Sequence, residues 1–211
     1  QPRIYFGESA ESVEYVVVNY LQEEVDYPLS TEGQSVAYTN YSGDGGVGIG
    51  SFFRRLGFAL RYGELNLLIS NQLSDDSKLI MERNIVSRVK KAAPFLYTDN
   101  DPYLALVEGD LFWIIDMYTV SDKYPYAQPA DTRRINENSG LPLNFNYLRN
   151  SVKAVVNAYD GTLNFYVVDE TDPLISTYED IFPNLFSPKS SMNTELLDHI
   201  RYPEDLFTIQ S

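Results

Sequence analysis

The spacing of hydrophobic and polar positions changes several times along the chain, and each change marks a predicted element. Residues 13–20 and 35–41 are rich in β-branched and aromatic side chains, which predicts two strands. From Ser51, a typical N-cap residue, the spacing becomes helical. The apolar positions at i, i+3, i+4 and i+7 are Phe53, Leu56, Gly57 and Leu60.

A second helical pattern covers residues 78–95 and predicts the clearest helix of the chain. Its stripe consists of Ile85, Val86, Val89, Ala92 and Ala93. The polar residues 74–77 are expected to cap its start, and Pro94 is expected to end it.

The second half of the chain favours antiparallel strands. Two apolar runs flank a turn signal at 108–110, and Asp160-Gly161 predicts a tight type I′ turn in a second hairpin. The polar, proline-containing residues 121–146 between them predict a long loop, and the last 40 residues predict short helices. These elements together predict an α+β fold over 1–211, one domain with a mainly antiparallel sheet and helices on one side.

The charge and composition exclude several classes of function. A formal net charge of −14 argues against nucleic-acid binding, because Lys and Arg supply the phosphate contacts. The chain contains no cysteine, which excludes disulfides, thiol nucleophiles and thiolate zinc sites within it. His199 is the single histidine, so no histidine metal site or catalytic triad is expected.

The positive charge is concentrated in one segment, residues 54–91. It holds eight basic residues against four acidic ones, a net charge of +4. Two interpretations are open. The basic residues are solvated helix faces or helices packed against an acidic sheet, or they form a basic face directed at anionic lipid headgroups or another anion.

The glycine-rich residues 43–50 contain the G-x-G-x-x-G spacing, followed by a predicted helix. Backbone N–H groups of such a loop can surround an anion at the positive end of a helix. The candidate residues for an anion site are Gly45, Gly46, Ser51 and Arg54. A dinucleotide site also needs a βαβ unit with an acidic residue about 20 positions on. Glu64 lies at the right distance, but it stands at the end of the predicted helix and not after a second strand, so no cofactor is predicted. The alternative to an anion site is a simple connection between strand and helix.

Two pairs of carboxylates are candidates for chemistry. Asp99 and Asp101 offer oxygen ligands for calcium, but the sequence Asp-Asn-Asp-Pro is also a turn signal, and no metal is predicted. Asp116 and Asp122 would serve as a carboxylate pair of the kind that glycosidases use, or act as caps and salt-bridge partners. No recognisable catalytic constellation results, so the sequence leaves open whether the protein is an enzyme and assigns no catalytic residue.

The chain has the features expected of a piece cut from a longer protein. It lacks an initiator Met, a signal-peptide pattern and any apolar run of the roughly 20 residues that cross a bilayer.

Several stretches resemble one family when taken in order along the chain. They are PRIYFGE (2–8), residues 50–70, APFLYTDNDPY (93–103), FWIIDMYTVSDKYPY (112–126), residues 146–175 and HIRYPEDLF (199–207). They resemble the Uncharacterised Protein Family 0182 of bacterial membrane proteins over nearly the whole chain. The resemblance implies several spanning helices at the N-terminus of the parent protein and a large part outside the cytoplasm, from which this chain would come. It implies no activity and no catalytic residues.

We therefore expect an extracytoplasmic binding or assembly module of a multi-pass protein of the bacterial cell membrane. Its expected partners are the membrane part of the same polypeptide, with envelope proteins or anionic lipid as further candidates. The alternatives are an enzyme that acts on envelope polymers through Asp116 and Asp122, and a domain that binds anions or lipid headgroups through the glycine loop.

Overall fold

The computed structural model describes residues 3–9, 15–22, 24–28 and 36–211. Contacts between residues divide the chain into two compact units, 11–83 and 1–10 with 84–211. We call them the small unit and the large unit. Two compact units can belong to one domain, so the single domain over 1–211 stays a prediction.

The small unit combines short strands with two helices. Its elements are β1 (Tyr15–Tyr20), β2 (Glu24–Pro28), β3 (Val36–Thr39), β4 (Val47–Gly48), α1 (Phe52–Tyr62), α2 (Asn66–Ile69) and β5 (Leu73–Met81). Strands β1, β5 and β4 form an antiparallel sheet in that order, and β2 pairs with β3. One buried cluster of the unit contains Val17, Ile49, Ala59, Leu67 and Leu79.

The large unit is built on a larger sheet. Its elements are α3 (Ile85–Ala92), β6 (Tyr97–Thr98), β7 (Tyr103–Val107), β8 (Asp110–Ser121), β9 (Tyr147–Asn157), β10 (Leu163–Val167), α4 (Pro173–Ile181), β11 (Phe186–Pro188), α5 (Thr194–Asp198) and α6 (Glu204–Gln210). The sheet order is β11-β10-β9-β8, and both β6 and β7 pair with the other edge of β8. The β10–β11 pairing is parallel and the others are antiparallel. The α+β class with a mainly antiparallel sheet is therefore confirmed.

The helix predicted over 78–95 is wrong in its first half. Residues Leu73–Met81 form β5, and α3 begins only at Ile85, with Asn84 as its N-cap. The reason is long-range pairing, since Leu79 is completely buried and lies opposite both Val17 and Val47. Residues 74–77 therefore belong to a strand and cap no helix.

The two predicted hairpins are present, with different turns. Glu108 and Gly109 both have positive φ, at 52° and 93°, and connect β7 to β8 in a tight turn. The type I′ turn predicted at Asp160-Gly161 is wrong, because only Gly161 has positive φ. The Asn157 side chain accepts hydrogen bonds from the N–H groups of Tyr159 and Asp160, which stabilises a wider loop between β9 and β10.

Residues 122–146 contain no helix or strand, as predicted for a long loop. The loop is nevertheless anchored to the large unit, because Phe145 is buried and Ser139 Oγ donates to Asp205 at 2.6 Å. None of the helices among the described residues has the length and apolar character needed to span a bilayer.

Candidate binding surface

Helix α1 directs large apolar side chains towards solvent. Phe53 is 82% exposed and Leu60 76% exposed, whereas the small Ala59 is the buried residue of the helix. Ser51 Oγ caps the first turn by accepting from the Arg54 N–H, and Gly63 ends the helix with a φ of 70°. Two of the apolar positions that predicted this helix, Phe53 and Leu60, therefore lie on its outer side, whereas Leu56 is half-buried.

Further exposed apolar side chains follow along the same segment of the chain. We define the apolar face as the large, exposed side chains of α1, of the connection and of α2: Phe52, Phe53, Leu60, Leu65 and Ile69. Leu65 and Ile69 are 70% and 72% exposed, while Leu67 between them lies in the core. Scattered exposed apolar residues are normal, but five within one short helical segment are typical of an interaction surface.

Arginines lie beside the apolar face. Successive helix residues are about 100° apart, so Arg54 and Arg61, seven positions apart, share one side of α1 next to Phe53 and Leu60. Helix α1 carries three arginines and no acidic residue. Arg61 is held by Glu82 of the same unit at 3.7 Å and lies over the ring of Tyr62.

The glycine loop before α1 is held by basic side chains that donate to its carbonyl oxygens. Arg54 Nη1 donates to Gly48 O at 3.2 Å, Arg55 Nε to Ile49 O at 2.8 Å and Lys78 Nζ to Gly43 O at 2.9 Å. These contacts shape the connection between strand and helix.

The four residues predicted to bind an anion lie on both sides of β4. Gly45 and Gly46 precede it, and Gly46 has a φ of 90°, whereas Ser51 and Arg54 belong to the start of α1. The Ser51 hydroxyl caps the helix, and Arg54 is exposed. The contacts of these four residues neither support nor oppose anion binding, so the anion site stays a prediction.

The proposed carboxylate pair is not brought together. Asp116 lies inside β8 and is buried, whereas Asp122 follows the end of the same strand and is exposed. Six positions along a strand span about 20 Å, more than the separations of up to roughly 9.5 Å found in glycosidases. Asp116 and Asp122 therefore do not form an acid–base pair.

Asp116 instead forms a buried ion pair with Lys153, a residue that the sequence analysis missed. The two residues lie opposite each other on β8 and β9, and each side chain is 3% exposed. Burial raises the pKa of the Asp116 carboxyl, and the Lys153 ammonium opposes this shift. The available signal was a charge within the apolar run of each strand, negative at Asp116 in β8 and positive at Lys153 in β9.

Asp99 takes part in a second buried polar group. Its carboxylate accepts hydrogen bonds from the Tyr118 hydroxyl and from the N–H groups of Asp101 and Asp205. Burial raises the pKa of Asp205, which itself accepts from Ser139. This arrangement matches the turn interpretation of Asp99 and Asp101, and the described residues contain no acidic or histidine cluster suited to a metal ion.

Asp172 connects the start of α4 to the sheet. Its carboxylate caps the helix through Leu174 N and accepts from the hydroxyls of Thr119, Ser151 and Tyr147. Burial would raise the pKa of this carboxyl, but the hydroxyl donors outweigh it, and the pKa lies below its usual value. Asp172 is a structural cap of the large unit.

The basic segment 54–91 is shared between the two units. Helix α1 belongs to the small unit and α3 to the large one. His199, the single histidine, is exposed at the C-terminal end of α5. Helix α1 combines arginines with exposed apolar side chains, and we therefore take it as the candidate binding surface.

Comparison with known proteins identifies the family. The model of the Uncharacterised protein family (UPF0182) matches residues 1–211, and the chain belongs to this family. It is 46% identical to a UPF0182 protein of Pelotomaculum thermopropionicum over the whole chain and 21% of that protein. The identity is 46% to a protein of Trichodesmium erythraeum, covering 23% of it, and 44% to one of Methanospirillum hungatei, covering 22%. The chain thus spans about a fifth of the length of these curated relatives. No solved structure matches it.

Proposed function

We propose that this member of the family is the extracytoplasmic binding module of a multi-pass bacterial membrane protein, and that its apolar face lies on the anionic lipid surface of the cell membrane. The observation that supports this function is the outward orientation of Phe53 and Leu60 on α1. The membrane location and the multi-pass plan rest on the family resemblance, and the contact with lipid rests on α1 and α2.

The combination of side chains on α1 suits the boundary between water and lipid. An interfacial helix buries Phe and Leu among the acyl chains and keeps Lys or Arg at the level of the headgroups. Complete burial of one large apolar side chain contributes about 1.5–3 kcal/mol, and each basic residue near an anionic surface adds about 1 kcal/mol. Phe53 and Leu60 together with Arg54 and Arg61 are therefore enough for measurable binding.

The charge distribution would also orient the chain. The whole chain carries −14, whereas residues 54–91 carry eight basic against four acidic residues. An anionic surface repels most of the protein and attracts helix α1, which carries three arginines and no acidic residue. Charge complementarity thus favours lipid over a second, equally acidic copy of the chain.

Flotation with lipid vesicles tests the proposal. We expect the chain to float with vesicles that contain phosphatidylglycerol at low salt, and much less with vesicles of phosphatidylcholine alone. The variant F53S/L60S removes the centre of the apolar face without touching a buried side chain. Its membrane partition should fall by about a hundredfold, which corresponds to about 3 kcal/mol.

Two further variants separate the contributions. F207A/L106A is the matched control, since Phe207 and Leu106 are 64% and 53% exposed on the large unit, and it should bind as the unmodified chain does. R54Q/R61Q should remove most of the dependence on salt and on anionic lipid. Absence of flotation at low salt, or equal losses in F53S/L60S and the control, would contradict the lipid contact. Self-association that F53S/L60S abolishes would assign the face to a second copy.

A further inference from the structure

The large unit contains a cleft of about 430 Å³ that is lined by residues of β9, of the segment after β10 and of α6 with the residues before it. We propose that this cleft binds a small organic phosphate. Its volume lies within the roughly 300–1,000 Å³ of small-molecule sites. The proposal does not depend on the lipid contact of the small unit.

The cleft concentrates positive charge in an acidic protein. Four basic residues line it, although the chain has only 16 Lys and Arg against 30 Asp and Glu: Arg149, Lys153, Lys189 and Arg201. One carboxylate, Asp169, also lines it and pairs with Arg149 at 3.1 Å. Two cations, Lys189 and Arg201, have no carboxylate within 4 Å among the described residues.

Lys153 offers a donor from the floor of the cleft. Its side chain is 3% exposed, and its ammonium donates to Asp116 and, at 3.3 Å, to Arg201 O. An ammonium group has three N–H donors, and within the described part of the chain the third one has no protein acceptor. A buried donor without an acceptor is costly, and an oxyanion in the cleft would satisfy it.

Arg201 is held in place before any ligand binds. Its guanidinium lies 4.5 Å from the centre of the Tyr103 ring, and its backbone N–H donates to the Tyr103 hydroxyl at 3.1 Å. A fixed planar guanidinium binds a phosphate through two hydrogen bonds with little loss of side-chain entropy. Arg201 is therefore the residue from which we expect the strongest contact.

The remaining lining identifies the ligand as an organic phosphate. The apolar part of the wall comes from Leu148, Val168, Ile200, Pro203 and Leu206. This wall suits the carbon part of a ligand, while the two cations without carboxylate partners match the charge of about −1.5 to −2 of a phosphate monoester. A sugar phosphate and a lipid headgroup phosphate share this chemistry.

Calorimetric titration with phenyl phosphate as the probe tests the cleft. We expect saturable binding to the chain at low salt, weaker binding of inorganic phosphate and none of benzyl alcohol. The variant K189Q/R201Q should weaken binding at least tenfold, about 1.4 kcal/mol, and R201K should retain part of it. K90Q/K123Q is the matched control, because both lysines are exposed on the large unit outside the cleft, and it should bind normally.

Backbone amide shifts in NMR locate the probe independently of any variant. Shifts clustered at residues 148–153 and 200–206 support the proposal, and glucose phosphate and glycerol phosphate as added probes then distinguish a sugar phosphate from a lipid headgroup phosphate. Shifts confined to residues 43–54 would place the anion in the glycine loop and overturn it. Absence of binding up to millimolar phenyl phosphate, or equal affinity of K189Q/R201Q and the unmodified chain, would overturn it as well.

Discussion

Replacing Lys153 by methionine should destabilise the large unit more than replacing Lys153 and Asp116 together. Both side chains are 3% exposed, so K153M leaves the Asp116 carboxylate buried without its counter-charge. Removing one member of a buried ion pair costs about 3–5 kcal/mol, whereas exchanging both for apolar residues is often neutral. The double variant D116L/K153M should therefore lie much closer to the unmodified chain than K153M does.

The expected shift is large enough to measure directly. For a protein of this size each kcal/mol moves the unfolding midpoint by about 2–4 °C, so K153M should lower it by about 6–20 °C at pH 7. Tryptophan fluorescence excited at wavelengths that tyrosine does not absorb reports on the large unit, because the single tryptophan, Trp113, lies on β8.

The pH dependence supplies a second check with a defined sign. Burial raises the pKa of Asp116 above its ordinary value, and the folded state of K153M therefore binds a proton that the unfolded state releases. K153M should regain stability as the pH falls through the raised pKa of the folded state. Stability of K153M within about 1 kcal/mol of the unmodified chain, or a double variant as unstable as K153M, would refute the reasoning.

Two further predictions concern the large unit. G161A should cost at least 1 kcal/mol in urea unfolding, because Gly161 has a φ of 74° and an added Cβ would lie 2.6 Å from Cε1 of Phe6. G109A, with positive φ but open space, should cost less, and equal losses would contradict the overlap. D172N should reduce stability most above pH 4, since the depressed pKa of Asp172 makes its contribution present above the ordinary pKa of about 3.9 and lost as the pH falls. Unfolding at pH 6 and pH 3 checks this, and a difference that grows towards pH 3 would contradict it.

Local signals predicted those elements whose residues act on their near neighbours. Helix α1 follows from its Ser51 cap and 3.6-residue period, and the turn at Glu108-Gly109 follows from its residue types. The side of α1 that faces the core did not follow, because Ala59 lies inside while the larger Phe53 and Leu60 lie outside. When a helix is apolar on two sides, the hydrophobic period predicts the helix but not which side faces the core.

Pairing between strands that are distant in sequence determined the elements that local signals did not predict. The segment that became β5 has residues compatible with a helix, and only its pairing with β1 and β4 makes it a strand. The same holds for the charged groups. Asp116 was visible in the sequence, but its partner Lys153 lies 37 positions away and is fixed by the register of β8 and β9.

The cleft could not be predicted because its basic residues are spread along the chain. Arg149 and Lys153 lie on β9, Lys189 follows β11, and Arg201 precedes α6. No spacing rule connects these positions, and only the folded sheet brings them to one place. The eight basic residues of segment 54–91, which the sequence did emphasise, are in contrast divided between two units.

A fluorescent label at position 60 tests the central claim most directly. The claim is that the apolar face enters the boundary between water and lipid. The chain has no cysteine, so L60C can be labelled at a single position with an environment-sensitive nitrobenzoxadiazole dye. Leu60 is 76% exposed, and L106C, at a residue that is 53% exposed on the large unit, provides the matched control. We predict that vesicles containing phosphatidylglycerol shift the emission of the Leu60 label to the blue and increase its intensity, with no change at position 106. Unchanged emission at position 60, or equal changes at both positions, would contradict the account.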